Sequence, residues 1–367
     1  MNVLLAAPYG GVVGGISRWT QNLLDFYNKE GKGDCNIDLL PTGRSVLLKG
    51  GHFIYRFKMA FKDYRSILRN YNRKLKKEHY DVMHLCSTAS VGLLRDIYML
   101  KAAKKKGIKT SIHFHCGRIP YLYEKRNWEQ KLLHRVMVLA DKVIVIDRKS
   151  YDTLLELGYA NVELLPNPLT SFVMDIVNEN NTIKREDHKV MFAGHIVLTK
   201  GVYELVEACK QIPNISLKMI GRVTNDMREQ MIVAAGEGYQ SWLEIVGELP
   251  YEDTIKEMMS AGVFVLPTYS EGFPNVIIES MACGCPIVTT DVGAIPEMLD
   301  IDNGFNNGIC VKPKDVEGLK RAIEKMLNDR DYAIACGRNA QNRVAELYLM
   351  PIVWKNINSI WKSILNN

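Results

Sequence analysis

The sequence has no long apolar run. Nothing in it approaches the ~18 consecutive apolar residues that a membrane-crossing helix needs, and the apolar stretch 136–146 is broken by Asp141 and Lys142. Basic residues are missing ahead of the first apolar segment, 1–7. That segment lacks the basic start of an export signal and reads as a strand entering a glycine loop, so a cytoplasmic protein is expected. Without export, the eight cysteines are expected as reduced thiols and not as a disulfide framework. Cys283 and Cys285 form a C-x-C pair with no matching His or Cys pair near it in sequence, which leaves a structural zinc unsupported. No repeat with a period of 20–50 residues is visible, against solenoids and propellers. No RNA- or DNA-binding module is recognisable.

What is present is a globular composition: 367 residues, 47% hydrophobic and 24% charged. That length exceeds one usual domain, so two are expected. Charge is unevenly placed. Residues 1–180 hold 28 basic and 17 acidic side chains, against 19 and 24 in the remainder. Much of the excess lies in Arg56–Lys77 and Lys101–Lys109. In the first of these, Phe57, Phe61, Tyr64, Leu68, Tyr71 and Leu75 recur at helical spacing, which predicts a basic amphipathic helix. Two readings stand: a core-packing helix with a solvated basic face, or a peripheral contact with anionic membrane, at roughly 1 kcal/mol per nearby Lys or Arg.

Apolar runs at 3–7, 81–86, 109–115, 142–147, 162–165, 190–194, 216–221, 242–246, 262–266 and 286–289 alternate with amphipathic segments. This predicts βαβ units in doubly wound parallel sheets. The polar stretch 167–188 reads as an interdomain linker and the lead-in to a second sheet. The last segment, 352–365, carries Trp354, Ile357, Ile360, Trp361 and Ile364 on one side, with Pro351 suited to a first helical turn.

Glu271 and Glu279 stand eight positions apart, the first in a Gly/Pro loop after a strand and the second inside an apolar helix. A loop that feeds a helix from the carboxyl end of a parallel strand is where open sheets hold ligands. The helix start, with unpaired N–H groups and a positive dipole end, suits phosphate. The run EGFPNVIIESMACGCPIV over 271–288 resembles the E-x7-E signature of the retaining glycosyltransferases of family 4 (group 1). The resemblance implies an α/β GT-B fold: two Rossmann-like, doubly wound domains facing across a cleft. Residues 1–170 would form the acceptor-side domain, with helix 351–367 packed back on it. Residues 171–350 would bind the nucleotide-sugar.

The loop 8–17 lets backbone approach a ligand closely. It is not G-x-G-x-x-G, and no acidic residue follows a second strand to hold a ribose, so a dinucleotide is not expected. Gly14 and Gly15 match the family's glycine pair, implied to lie beside the donor diphosphate and the acceptor. In 111–117 a strand ends with His113 and His115 on one face. The resemblance places on His115 the histidine that approaches the donor sugar, with His113 as the alternative. A metal site completed by Cys116, or plain burial of the histidines, are the other readings.

The family's G-R-x4-K-G appears as Gly194-His195 through Lys200-Gly201. His195 replaces an arginine, exchanging a permanently charged fork for a ring that is only partly charged near neutrality. Lys200 then anchors the diphosphate alone, or Arg222, Arg18 or Arg118 substitutes. The resemblance implies that Gly247, Glu248 and Leu249 line the base pocket. It also implies that Gly272, Phe273, Pro274, Asn275 and Val276 supply loop contacts to the donor, and that Glu279 binds the ribose hydroxyls. Glu271 would contact sugar hydroxyls and stabilise positive charge on the ring. No D-x-D stands near these loops, so neither a metal nor another cofactor is expected, only the nucleotide-sugar as co-substrate.

The implied function is retaining transfer of a hexose-type sugar from a UDP-linked donor to a glycan or lipid-linked acceptor in cell-surface polysaccharide synthesis, in the cytoplasm or at the inner face of the membrane. No nucleic-acid partner is expected. The competing readings are a UDP-sugar epimerase on the same fold and a non-catalytic membrane or nucleic-acid adaptor.

Overall fold

The structure, a computed structural model, describes residues 1–10, 14–31, 33, 35–43, 53–90, 92–304 and 307–366, with backbone alone for 31, 53–61 and 302. Residues 11–13 of the first glycine loop and the side chains of Arg56, Phe57, Lys58 and Phe61 lie outside the described residues. The chain divides into two compact units, Met1–Pro168 with Met350–Asn367, and Leu169–Leu349. Among the described residues, no helix is long and apolar enough to cross a membrane.

The first unit holds β1 (Asn2–Ala7), β2 (Asn36–Pro41), β3 (Val82–Ser87), β4 (Lys109–Phe114), β5 (Lys142–Val145) and β6 (Val162–Leu164). They form one parallel sheet in the order β2-β1-β3-β4-β5-β6. The second unit holds β7 (Glu186–Ala193), β8 (Ser216–Ile220), β9 (Leu243–Gly247), β10 (Ala261–Leu266), β11 (Ile287–Thr290) and β12 (Ile309–Val311), ordered β12-β11-β10-β7-β8-β9, again all parallel. Parallel strands need crossover helices on both faces, which is why the central strands are buried. Each sheet has a point where the strand order reverses: between β1 and β3 in one, between β7 and β10 in the other. Such points are where open sheets bind ligands.

Two strands differ from the sequence expectation. β2 and β12 had no apolar run to announce them. Both are edge strands, mostly half-exposed, and β12 is three residues long, so neither needs a continuous apolar face. The stretch expected as a linker contains the Ser171–Glu179 helix, capped by Thr170 Oγ1 accepting from the Phe172 N–H and anchored by buried Val173 and Ile176. Only two buried residues hold it, too few to stand out among its polar neighbours.

In β1 the side chains alternate, as the pleat requires. Leu4 and Ala6 join one core layer, while Val3, Leu5 and Ala7 join another with Trp19 and Leu23 of the Gly15–Phe26 helix and Trp354 and Trp361 of the Met350–Leu365 helix. The last helix therefore completes the first unit's core. Its Trp361 is fully buried, and Nε1 donates to Nδ1 of His84 on β3 at 3.1 Å. The predicted basic helix is Phe53–Lys77, with Ile67, Tyr71 and Leu75 buried and Lys74 paired with Asp38. Trp361→Ala is expected to lower folding stability by about 3–5 kcal/mol, the usual cost of truncating a buried aromatic, measured by urea denaturation; a loss under about 1 kcal/mol would contradict this packing.

Candidate active site

In the second unit, the two loops at the strand-order reversal are locked together. After β7 the chain passes Gly194 and the exposed His195, then makes a short turn, Leu198–Lys200, closed by Gly201 at φ +68°. A Cβ at Gly201 would stand 1.9 Å from the Pro267 carbonyl oxygen, so only glycine lets this turn lie against the end of β10. The Tyr269 N–H donates to the Thr199 carbonyl at 2.9 Å. Tyr269 Oη donates to Glu204 Oε1 at 2.6 Å, and Lys314 Nζ lies 5.1 Å from the Tyr269 ring centre.

These contacts bring Lys200 against Glu271 in an ion pair whose side chains are 28% and 15% exposed. Partial withdrawal from water makes such a pair less screened than one on the surface. From the other side, Gly293 at φ +58° would place a Cβ 2.2 Å from the Glu271 carbonyl oxygen, and the Ala294 N–H donates to the Gly272 carbonyl at 3.0 Å. The Glu271–Gly272 backbone is thus held by the close approach of Gly293 and the hydrogen bond from Ala294.

Phe273 is buried against Tyr348, and Pro274 caps the Asn275–Ala282 helix. Asn275 and Val276 open that helix half-buried. Glu279, 9% exposed, accepts a 2.7 Å hydrogen bond from Tyr251 Oη. Across the sheet, the Gly221 N–H donates to the Gly247 carbonyl at 2.7 Å and the Gly194 N–H to the Ile220 carbonyl at 2.9 Å, making a row of backbone groups at the ends of β7, β8 and β9. Glu248 and Arg222 are exposed and Leu249 half-buried beside that row.

Gly14, Gly15 and His115 belong to the first unit. Gly14 caps the Gly15–Phe26 helix, and among the described residues nothing lies within 4 Å of where a Cβ would stand on either glycine. His115 follows β4 and packs tilted against His113 with ring centres 3.9 Å apart, and edge-on against Trp19 with ring centres 4.7 Å apart. Burial pushes the His115 ring down to about 3, against a hydrogen bond with Asn167 that works the other way. His115 is therefore a neutral ring near pH 7. Arg18 and Arg118, the other expected diphosphate partners, are exposed in this unit, and Arg118 faces Glu129 at 3.9 Å.

A family model described as Glycosyltransferase Family 4 matches residues 13–170, and one described as Glycosyl transferases group 1 matches residues 174–343. The chain belongs to these glycosyltransferases. A relative is the capsular polysaccharide biosynthesis glycosyltransferase CapM of Staphylococcus aureus, 29% identical over 201 residues. The match covers 51% of each protein, so this chain spans about half of that relative's length. Two solved structures share the fold over the whole chain. Sucrose-phosphate synthase from Thermosynechococcus elongatus is 18% identical with a TM-score of 0.74, covering 100% of this chain and 99% of that one. HepE of Anabaena, solved in complex with UDP, is 16% identical with a TM-score of 0.70, covering 99% and 100%.

Several residues of this glycosyltransferase that hold the site carry no signal in the sequence. Tyr251 reaches Glu279 across 28 positions and Tyr269 reaches Glu204 across 65; no periodicity spans such gaps. The expected metal alternative, His113 and His115 with Cys116, is also redrawn. Among the described residues, the histidine–cysteine group that comes together is His84, Cys86 and His113, with ligand atoms within 4.8 Å of one another. Its protons suit a cation poorly. The Trp361 N–H can only donate, so a neutral His84 that accepts it at Nδ1 carries its own proton on Nε2, and burial pushes the Cys86 thiol well above its ordinary range.

Burial likewise holds His84 at about 3 and His113 well below the usual histidine value. In the unfolded chain these rings titrate near 6.5. Between that value and about 3 the unfolded chain binds protons the folded one does not, so stability is complete above about pH 6.5 and falls as the pH drops. Each histidine contributes up to about 1.4 kcal/mol per pH unit. The urea midpoint should fall from pH 7.5 to 5, and more gently in His113→Leu; an unchanged slope would refute the neutral buried state. Gly293→Ala should cost more than the about 1–2 kcal/mol of a left-handed Cβ alone, read by thermal unfolding, because the Glu271 carbonyl blocks the added carbon.

Proposed function

We propose that the chain transfers a hexose-type sugar from a UDP-linked donor, with retention at the anomeric carbon, to a glycan or lipid-linked acceptor of a cell-surface polysaccharide. The observation that carries this reading is the Lys200–Glu271 pair at the strand-order reversal, with Glu279 buried on the helix that follows. The bond to be broken joins the anomeric carbon to a phosphate oxygen, and its electron pair leaves with the diphosphate. Lys200 and the N–H groups opening the Asn275–Ala282 helix stabilise that charge. Glu271, beside Lys200, balances positive charge developing on the sugar ring. The acceptor oxygen bonds to the carbon on the same face, and its proton passes to the departing phosphate oxygen. Gly247, Glu248 and Leu249 line the base pocket with backbone groups, and Glu279 holds the ribose. No step in this scheme calls for a metal.

The UDP assignment is supported by HepE, which was solved with UDP, and the polysaccharide assignment by the name of CapM. Peripheral contact with anionic lipid at the inner membrane face fits the basic side of the first unit. Arg65, Arg69, Arg73 and Lys76 of one helix and Lys101 and Lys104 of the next, Leu93–Lys104, are exposed, and Tyr64 Oη ties the two helices by donating to the carbonyl of Gly92, which caps the second, at 3.3 Å.

Calorimetric titration with UDP, GDP and ADP should reveal a preference for UDP, weakened about tenfold or more in Glu279→Ala. Lys200→Ala should lower transfer by about 10²–10³. Failure to bind any of the three nucleotides, or an epimer produced from UDP-sugar alone, would overturn the reading.

A further inference from the structure

Tyr251 lies between the segment after β9 and Glu279, the two parts of the proposed nucleoside subsite. It opens the Tyr251–Ser260 helix, directly after Gly247–Pro250, the segment that carries the base-facing backbone groups. Its hydroxyl donates at 2.7 Å to Glu279 Oε1. Its ring is stacked on Phe172 of the Ser171–Glu179 helix, with centres 6.1 Å apart and planes 20° from parallel. One tyrosine therefore connects the end of β9, the ribose-binding carboxylate and an aromatic brace.

Glu279 is a long side chain with several rotatable bonds on a buried helix. A phenol hydroxyl bound to one of its oxygens restricts that carboxylate to a narrow range of rotations. The Phe172 stack restricts the phenol in turn. A hydrogen bond to an ionised acceptor is among the stronger and more directional ones, and a site built around such a bond discriminates sharply against a ligand that lacks the matching hydroxyl.

We infer that Tyr251 is a positioning residue that sets Glu279 to recognise a ribose diol, and so makes this site selective for ribonucleoside over 2′-deoxyribonucleoside diphosphates. This rests on the nucleotide-sugar reading above. It adds a residue that acts through Glu279 and a selectivity that follows from it.

The experiment compares binding of UDP and 2′-deoxy-UDP to the full chain and to Tyr251→Phe, which removes only the hydroxyl. The unaltered chain should favour UDP by about tenfold or more, the range expected of a hydrogen bond to a charged group. In Tyr251→Phe that preference should shrink to about threefold or less, through weaker UDP binding, with 2′-deoxy-UDP binding nearly unchanged. Phe172→Ala, at an exposed position, leaves the hydroxyl in place and should shrink the preference by a smaller factor; it serves if Tyr251→Phe fails to fold. A purely structural tyrosine would change the melting temperature and leave the ratio alone. An unchanged ratio in a folded variant overturns the inference while the nucleotide-sugar reading stands. So does tighter UDP binding by Tyr251→Phe, which would make the tyrosine a competitor for Glu279. Absence of UDP binding in the unaltered chain removes both.

Discussion

The parallel pairing of β7 with β10 governs the second unit. Val190 lies opposite Val263 and Met191 opposite Phe264, so the two strands end side by side and the loops that leave them emerge together. About 70 residues of chain separate those loops, yet the pairing makes Thr199, Gly201 and Lys200 neighbours of Tyr269, Pro267 and Glu271. The Lys200–Glu271 pair depends on this approach. Two glycines permit it: a side chain at 201 would drive the turn off Pro267, and one at 293 would displace the backbone of Glu271 itself.

The first unit depends on a different closure. One face of its sheet is covered by helices from the two extremes of the chain, Gly15–Phe26 and Met350–Leu365. The chain leaves the second unit beside the point at which it entered, where Leu169 pairs with Leu349, and so supplies the last helix to the first unit. Three histidine rings sit at this core face, neighbours of Trp19 and Trp361. Neither nitrogen of His113 has a hydrogen-bond partner among the described residues. The core tolerates unpaired nitrogens because the rings remain neutral, and that neutrality makes the unit acid-sensitive.

The central strands were legible because burial on both faces demands unbroken apolar runs, and Val3–Ala7, Val190–Ala193 and Gly262–Leu266 carry them. The edge strands β2 and β12 face water on one side and carry weaker patterns. The Ser171–Glu179 helix hides in a polar stretch because two side chains anchor it. Of the candidate site residues, Glu271 and Glu279 were legible through a motif that is contiguous within a loop and the helix after it, and Lys200 through the separate Lys-Gly turn after β7. Tyr251, Glu204 and Gly293 were not, because each acts by touching a residue more than 20 positions away.

Local order in the sequence was enough to specify alternating strands and helices, the loop that opens the Asn275–Ala282 helix, and the charge asymmetry between the two halves. These follow from side-chain period, backbone freedom and composition, all properties of neighbouring residues. The tertiary structure alone decided which loops meet, that Lys200 pairs with Glu271, that Tyr251 holds Glu279 and that His84 accepts from Trp361. Those outcomes depend on strand order and on distances between segments far apart in the chain. A one-dimensional pattern does not encode them, because the partners are chosen by the packing of the whole sheet.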